Sequence, residues 1–156
     1  MRTLPVSLCL ALGLFAPAGA ALAAPAMDAC RLLTAADVEG ATKVKVGEVK
    51  ADDKTSSQLG KCKYLHADKA FGRAIVASVA AVAPEKVASQ KTMWTTMLKS
   101  TPVPGVAEFA YYNEAGGVLL AGRGDHAVQI QMLDGPAGPA RLEAIKTLAR
   151  TALAKL

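Results

Sequence analysis

Residues able to carry out acid–base or nucleophilic chemistry are sparse in this sequence. It has two histidines, and His126 follows Asp125 where the sequence predicts an exposed turn. There is no Gly-x-Ser-x-Gly elbow, phosphate-binding loop, His-Glu-x-x-His motif or dinucleotide fingerprint. We therefore expect a protein that is not an enzyme. An enzyme of unrecognised type, using His66 or His126, is the alternative.

Methionines offer a second kind of chemistry, since their thioethers bind copper. Met93 and Met97 are one helical turn apart, and Met132 and the histidines supply further soft ligands. The same two methionines also lie on an apolar stripe with Trp94, where methionine fills gaps in a core. The core interpretation is simpler, so no metal and no cofactor is predicted. A small-ligand or metal carrier is kept as an alternative.

Two of the three cysteines lie beyond the leader described below, which contains Cys9. In an oxidising compartment, Cys30 and Cys62 are expected to form a disulfide. A redox pair would more often be spaced Cys-x-x-Cys, and a zinc site would need further ligands nearby. The bond would join the first helix to the sheet.

Lysines offer a charged surface, because five of them fall on two predicted strands that can be neighbours: Lys43, Lys45, Lys50, Lys61 and Lys63. Like charges opposed across strands cost stability, so a basic strip there suggests an anionic partner, such as an envelope polymer, lipid head groups or an acidic protein. The simpler interpretation is a solvated outer face whose lysines discourage edge-to-edge aggregation.

A cluster of aromatic residues provides the other candidate binding surface. Phe109 and Tyr111 share one face of a predicted strand, and Tyr112 lies on the other. If helices cover only one sheet face, one of these sets is open to a ligand or partner. Tyrosine is favoured at interfaces because it combines apolar area with a polar tip.

The first residues have the pattern of a secretory signal peptide. Arg2 precedes an apolar run, and Ala21-Leu22-Ala23 is the best cleavage motif, ahead of Ala18-Gly19-Ala20. We expect residues 1–23 to be removed, leaving residues 24–156 as a single α+β domain, periplasmic or secreted. No cysteine fits a lipid-attachment motif, and the apolar run is too short for a stable membrane span.

Charge argues against one class of partner. The whole chain carries a net charge of +5, and loss of Arg2 leaves 17 basic against 13 acidic residues, or +4. This mild excess lacks the dense Lys/Arg stripe of a nucleic-acid-binding protein, so no nucleic acid is expected.

The elements that must position these residues follow the order α-βββ-α-βββ-α, as an antiparallel sheet, or two abutting sheets, with helices packed on one face. A capping box at Thr34 and Asp37 begins the first helix, and Gly40 is expected to end it. The apolar stripe of the second helix comprises Val87, Met93, Trp94, Met97 and Leu98. The predicted strands span 43–50 (with a bulge at Gly47), 61–66, 72–82, 107–112, 117–123 and 127–133, and the last helix begins at Pro139. The two halves suggest an internal duplication of topology.

Several short motifs together resemble a family of small secreted bacterial cell-envelope domains of unknown function, often lipoproteins. The matching segments are Cys30-x-Leu32-Leu33-Thr34-x-x-Asp37-Val38, Gly60-x-Cys62-x-Tyr64, Val103-Pro104-Gly105-Val106-Ala107 followed by Tyr111-Tyr112, and Leu148-Ala149-Arg150-x-Ala152-Leu153. The resemblance implies an α+β fold with the two cysteines paired, and it implies no known reaction. This chain lacks the lipid-attachment cysteine of many such proteins.

These observations predict a soluble exported binding or interaction module. It would use an exposed sheet face or the loop from Pro102 to Gly105, and an inhibitor of an envelope-acting enzyme is one form it could take. The sequence does not indicate an oligomeric state.

Overall fold

A computed structural model describes residues 27–52, 57–68 and 74–156, so the predicted signal peptide lies outside the described residues. Within them, the helices are α1 Ala35–Thr42, α2 Val87–Thr96 and α3 Gly138–Leu153, with short 3-10 turns at Ala29–Arg31 and Pro84–Lys86. The strands are β1 Val46–Asp52, β2 Gln58–His66, β3 Ile75–Val82, β4 Thr101–Pro102, β5 Phe109–Asn113, β6 Val118–Arg123 and β7 His126–Met132. The predicted α+β class and element order are confirmed, with β4 as an addition.

All described strands form one antiparallel sheet in the order β1-β2-β3-β7-β6-β5-β4. Two meanders meet where β3 pairs with β7, with Val79 opposite Ile130. Strands β1 to β3 and β5 to β7 are thus placed symmetrically about this central pair. The expected bulge occurs at Gly47, where the register of β1 on β2 shifts between Val46 and Glu48.

The larger core lies on the sheet face covered by α1 and α3, here called the inner face. The prediction of an amphipathic last helix is confirmed, since Ile145, Leu148 and Ala152 are buried. They belong to one cluster with inward-facing strand residues such as Val79 and Ile130. Burying large aliphatic side chains of this kind stabilises a fold by about 1.5–3 kcal/mol each.

The second core lies on the opposite face, here called the outer face, beneath α2. Trp94 packs with Leu120 and Phe109, which alternate along their strands with inner-face residues. The prediction that helices pack on one face of the sheet is therefore correct for α1 and α3, whereas α2 covers part of the other face. This placement breaks the symmetry that the strand order suggests.

Two helix ends differ from expectation. Helix α1 has the predicted capping box, with the Thr34 amide donating to Asp37 at 2.8 Å and the Asp37 amide donating to Thr34 at 3.1 Å. It continues through Gly40 to Thr42, because Lys43 takes the left-handed capping conformation (φ 61°). Helix α2 ends at Thr96, so Met97 and Leu98 leave the predicted stripe and are 77% and 41% exposed.

Candidate binding surface

The predicted disulfide between Cys30 and Cys62 is present and joins the first 3-10 turn to β2. Beside it, the Tyr64 hydroxyl donates a 2.7 Å hydrogen bond to the carbonyl oxygen of Leu33. Burial raises the pKa of Tyr64, and the negative charges of Asp37 and Asp28 raise it further. The segment before α1 is thus held to the sheet by one covalent bond and one buried hydrogen bond.

The spacing Gly60-x-Cys62-x-Tyr64 follows from strand geometry, because all three positions point to the inner face. The Met27 amide donates to the Leu59 carbonyl at 3.0 Å, and a Cβ at Gly60 would overlap the carbonyl oxygen of Met27. Glycine at this position lets the incoming segment cross β2 closely. These motif residues therefore have a structural role on the side away from the candidate surface.

The outer face is organised as rows of residues that lie opposite one another across the strands. Lys63 faces Ser78, and Ser78 faces Gln131; in the next row Lys61 faces Ala80, and Ala80 faces Gln129. A third row contains Val82, Ala127, Gly122 and Phe109. All of these except Gly122 belong to the hydrophobic cluster under α2. The first two rows carry polar side chains where α2 does not cover the sheet.

Helix α2 crosses the outer face toward β5 and does not pack over the half of that face formed by β1, β2 and the neighbouring part of β3. It begins just after β3, and beyond its end the Leu98 carbonyl accepts a 3.3 Å hydrogen bond from the side-chain amide of Asn113 at the end of β5. Its packing contacts are made with Leu120 and Phe109. Within the described residues, no helix belongs to a cluster with the outer-facing residues of β1 and β2.

The open half has the shape of a shallow trough along β3. Ser78 and Ala80 form its floor and are 6% and 3% exposed, and among the described residues no helix shares a cluster with them. Longer side chains lie beside them in register, Lys61 and Lys63 on β2 and Gln129 and Gln131 on β7. The two walls are two strand spacings apart, about 9.6 Å. We call the set Lys61, Lys63, Ser78, Ala80, Gln129 and Gln131 the trough.

Two of the predicted lysines carry most of the charge of this trough. The ammonium groups of Lys61 and Lys63 lie 3.3 Å and 2.8 Å from the carboxylate of Asp52 on β1. Lys50, also on the outer face, lies directly opposite Lys63. Among the described residues, three lysines around one aspartate leave positive charge in excess at this wall, although Glu48 adds a negative charge farther along β1.

The other two predicted lysines lie elsewhere. Lys43 caps α1 and Lys45 pairs with Glu39 at 3.4 Å, and both precede β1. The prediction that all five lysines fall on two strands is wrong for this pair, because the strand begins at Val46. The basic strip is therefore limited to Lys50, Lys61 and Lys63.

The aromatic cluster divides between the two faces as predicted. Phe109 lies under the Lys91 ammonium, 4.7 Å from the ring centroid, and is buried; Tyr111, 6.2 Å from it, is half-buried. Tyr112 is buried on the inner face, where burial raises its pKa. It lines a cavity of about 420 Å³ with Pro102 and Leu142. Neither aromatic set forms an open patch.

The candidate ligands for chemistry are not brought together. Met132 is buried in the inner core, while Met93 packs in the cluster on the opposite face. His66 lies 3.4 Å from Asp134, and His126 lies 3.5 Å from Asp125 in an exposed turn. In the part of the chain that the structure describes, no three His, Cys, Asp or Glu residues are grouped to hold a metal ion.

Among the described residues, no helix combines the length and apolarity needed to cross a bilayer. Comparisons with protein-family models, with curated proteins and with solved structures find no match to this chain. The resemblance to secreted envelope domains therefore stays a prediction.

Sequence reasoning identified the lysines and missed the rest of the trough. Gln129 and Gln131 alternate with the apolar residues Val128 and Ile130, which indicates that the two glutamines face away from the inner core. Their closeness to the lysines follows only from the pairing of β3 with both β2 and β7. Asp52 lies between two predicted strands, which end at residue 50 and resume at residue 61, whereas in the structure it ends β1 and pairs with both lysines.

Proposed function

We propose that this chain is an exported binding module of the cell envelope and that the trough binds an extended anionic polymer, such as a carboxylated or phosphorylated envelope glycan. The observation that carries the proposal is the outer half of the sheet that no described helix covers, where two lysines lie across a floor of small residues from two glutamines. A width of about 9.6 Å suits one extended chain lying along β3.

The side chains of the trough suit such a ligand. Ammonium groups bind carboxylates and phosphates through charge-assisted hydrogen bonds. The side-chain amides of Gln129 and Gln131, which are half-buried, both donate and accept hydrogen bonds, as recognition of sugar hydroxyls requires. A ligand carboxylate would take the place of Asp52 at one of the two lysines, so Asp52 keeps the site in order when it is empty.

Binding to polygalacturonate, a carboxylated polysaccharide, tests the proposal, with neutral dextran as the uncharged comparison. We expect binding to polygalacturonate alone, with affinity falling as salt is raised, because surface ion pairs are screened. Replacing Lys61→Gln and Lys63→Gln together should weaken binding about tenfold, or about 0.7 kcal/mol for each lysine.

The matched control is Lys146→Gln with Lys155→Gln. These lysines are also paired with carboxylates, at 2.7 Å and 3.7 Å, but belong to α3 and the residues after it. The control variant loses the same two positive charges as the trough variant. If it binds polygalacturonate normally, the weaker binding of the trough variant is due to the position of its lysines. Equal weakening by both pairs would show a response to net charge only and would refute the proposal. Capture of an acidic protein in place of the polymer would do the same.

A further inference from the structure

Strand β1 is an exposed edge of the sheet. Among the described residues no strand pairs with its other side, and Gly47 to Ala51 are all exposed. Such an edge presents unpaired backbone donors and acceptors that can pair with another strand. Val49, at its centre, is 41% exposed and is one of the few large apolar side chains exposed in the described chain.

The sequence of β1 is complementary to itself when two copies run antiparallel. The strand spans seven residues, from Val46 to Asp52, and Val49 is the middle one. In a two-fold pair centred on Val49, each Glu48 lies opposite Lys50 of the second copy, and Val49 lies opposite Val49. The register shift of β1 falls between Val46 and Glu48, outside this central triplet.

Within a single chain, the two charged residues of the triplet are left without a partner. Neither Glu48 nor Lys50 is ion paired among the described residues, and Lys50 lies directly opposite Lys63. Opposite charges facing each other across strands stabilise a pair, whereas like charges destabilise it. A second copy would supply an opposite charge to both residues at once.

We propose that two copies of this chain associate through β1, in antiparallel register about Val49, to make one continuous sheet. The two-fold axis would be perpendicular to the sheet, as in isologous dimers, so both troughs would lie on the same face. Dimerisation through β1 would leave the trough uncovered, because the trough residues lie on β2, β3 and β7, and it is measured in the absence of polymer.

Charge exchange tests both the dimer and its register. In the Lys50→Glu variant, all four charged positions at the interface are acidic; in the Glu48→Lys variant, all four are basic. We expect each variant alone to dimerise about tenfold more weakly than the natural chain, since two attractive pairs become repulsive. An equimolar mixture restores both attractive pairs, so heterodimers should form with an affinity close to the natural one.

Sedimentation velocity across micromolar to millimolar protein, produced from the full-length chain, measures these equilibria. The control is Lys99→Glu, which changes charge equally between α2 and β4, and it should dimerise normally. Circular dichroism melts check that every variant is folded. A natural chain that stays monomeric throughout, a dimer that neither exchange weakens, or a mixture that fails to associate would each overturn the proposal.

Discussion

Reduction of the disulfide is the perturbation whose cost can be worked out most directly. Cys30 and Cys62 are 32 residues apart, and opening that loop in the unfolded chain restores entropy equivalent to about 3.7 kcal/mol. A domain of about 130 residues has an unfolding entropy near 0.27 kcal/mol/K at its midpoint. Dividing the lost stability by this unfolding entropy gives a fall in melting temperature of about 14 °C.

The reduced protein should still be folded at low temperature. Domains of this size have a total stability of about 5–15 kcal/mol. The Tyr64 hydrogen bond and most residues of the inner core involve groups other than the two sulfur atoms. We therefore expect far-ultraviolet circular dichroism to be native in the cold and the thermal transition to move down as one cooperative step.

Thermal melts with and without a phosphine reductant measure this shift. The matched control is Cys30→Ala with Cys62→Ala, which should melt near the reduced protein and ignore the reductant. A shift smaller than about 3 °C in the natural chain, with thiols shown to be free, would refute the entropy calculation. A response of the double variant to reductant would show that the effect arises elsewhere.

Two further predictions concern the segment that the disulfide anchors. Tyr64→Phe leaves the Leu33 carbonyl without its donor and should lower the free energy of unfolding by about 1–3 kcal/mol in urea, whereas Tyr111→Phe, at a half-buried position, should change it little. The pKa of Asp37 in the folded protein is lowered below its ordinary value of 3.8, first by the hydrogen bond from the backbone amide of Thr34. The ionised carboxylate therefore stabilises the fold at pH values above 3.8, and this stabilisation is lost as the pH falls through the lowered pKa of the folded state. The stability gap between the natural chain and Asp37→Asn, up to about 1 kcal/mol at neutral pH, should therefore close in acid; a gap that persists in acid would contradict this assignment.

Local patterns in the sequence predicted much of the fold. The capping box at Thr34 and Asp37, the bulge at Gly47 and the alternation along β7 each depend on neighbouring residues, and all three are present. The amphipathic period of α3 likewise reports which of its residues are buried. Such features are readable because their physical causes lie within a few residues of one another.

The sequence did not predict which elements far apart in the chain pack against each other. The stripe on α2 indicates that Trp94 is buried, but not against which sheet face, since both faces offer apolar residues such as Leu119 and Leu120. The trough depends on β3 pairing with β7, a contact between residues about fifty positions apart in the chain, for which no local pattern gives a signal. The prediction placed Lys43 and Lys45 on a strand, but Lys43 caps α1 in the left-handed conformation and β1 begins at Val46, three residues after the predicted start.

The most direct test of the trough as a binding surface is amide NMR of isotope-labelled protein titrated with polygalacturonate. We expect the perturbed amides to map to outer-face residues of β2, β3 and β7, centred on Lys63, Ser78 and Gln131, which lie side by side. Amides of α3 should be unaffected. Perturbations centred on α1 and α3, or none at saturating polymer, would contradict the account.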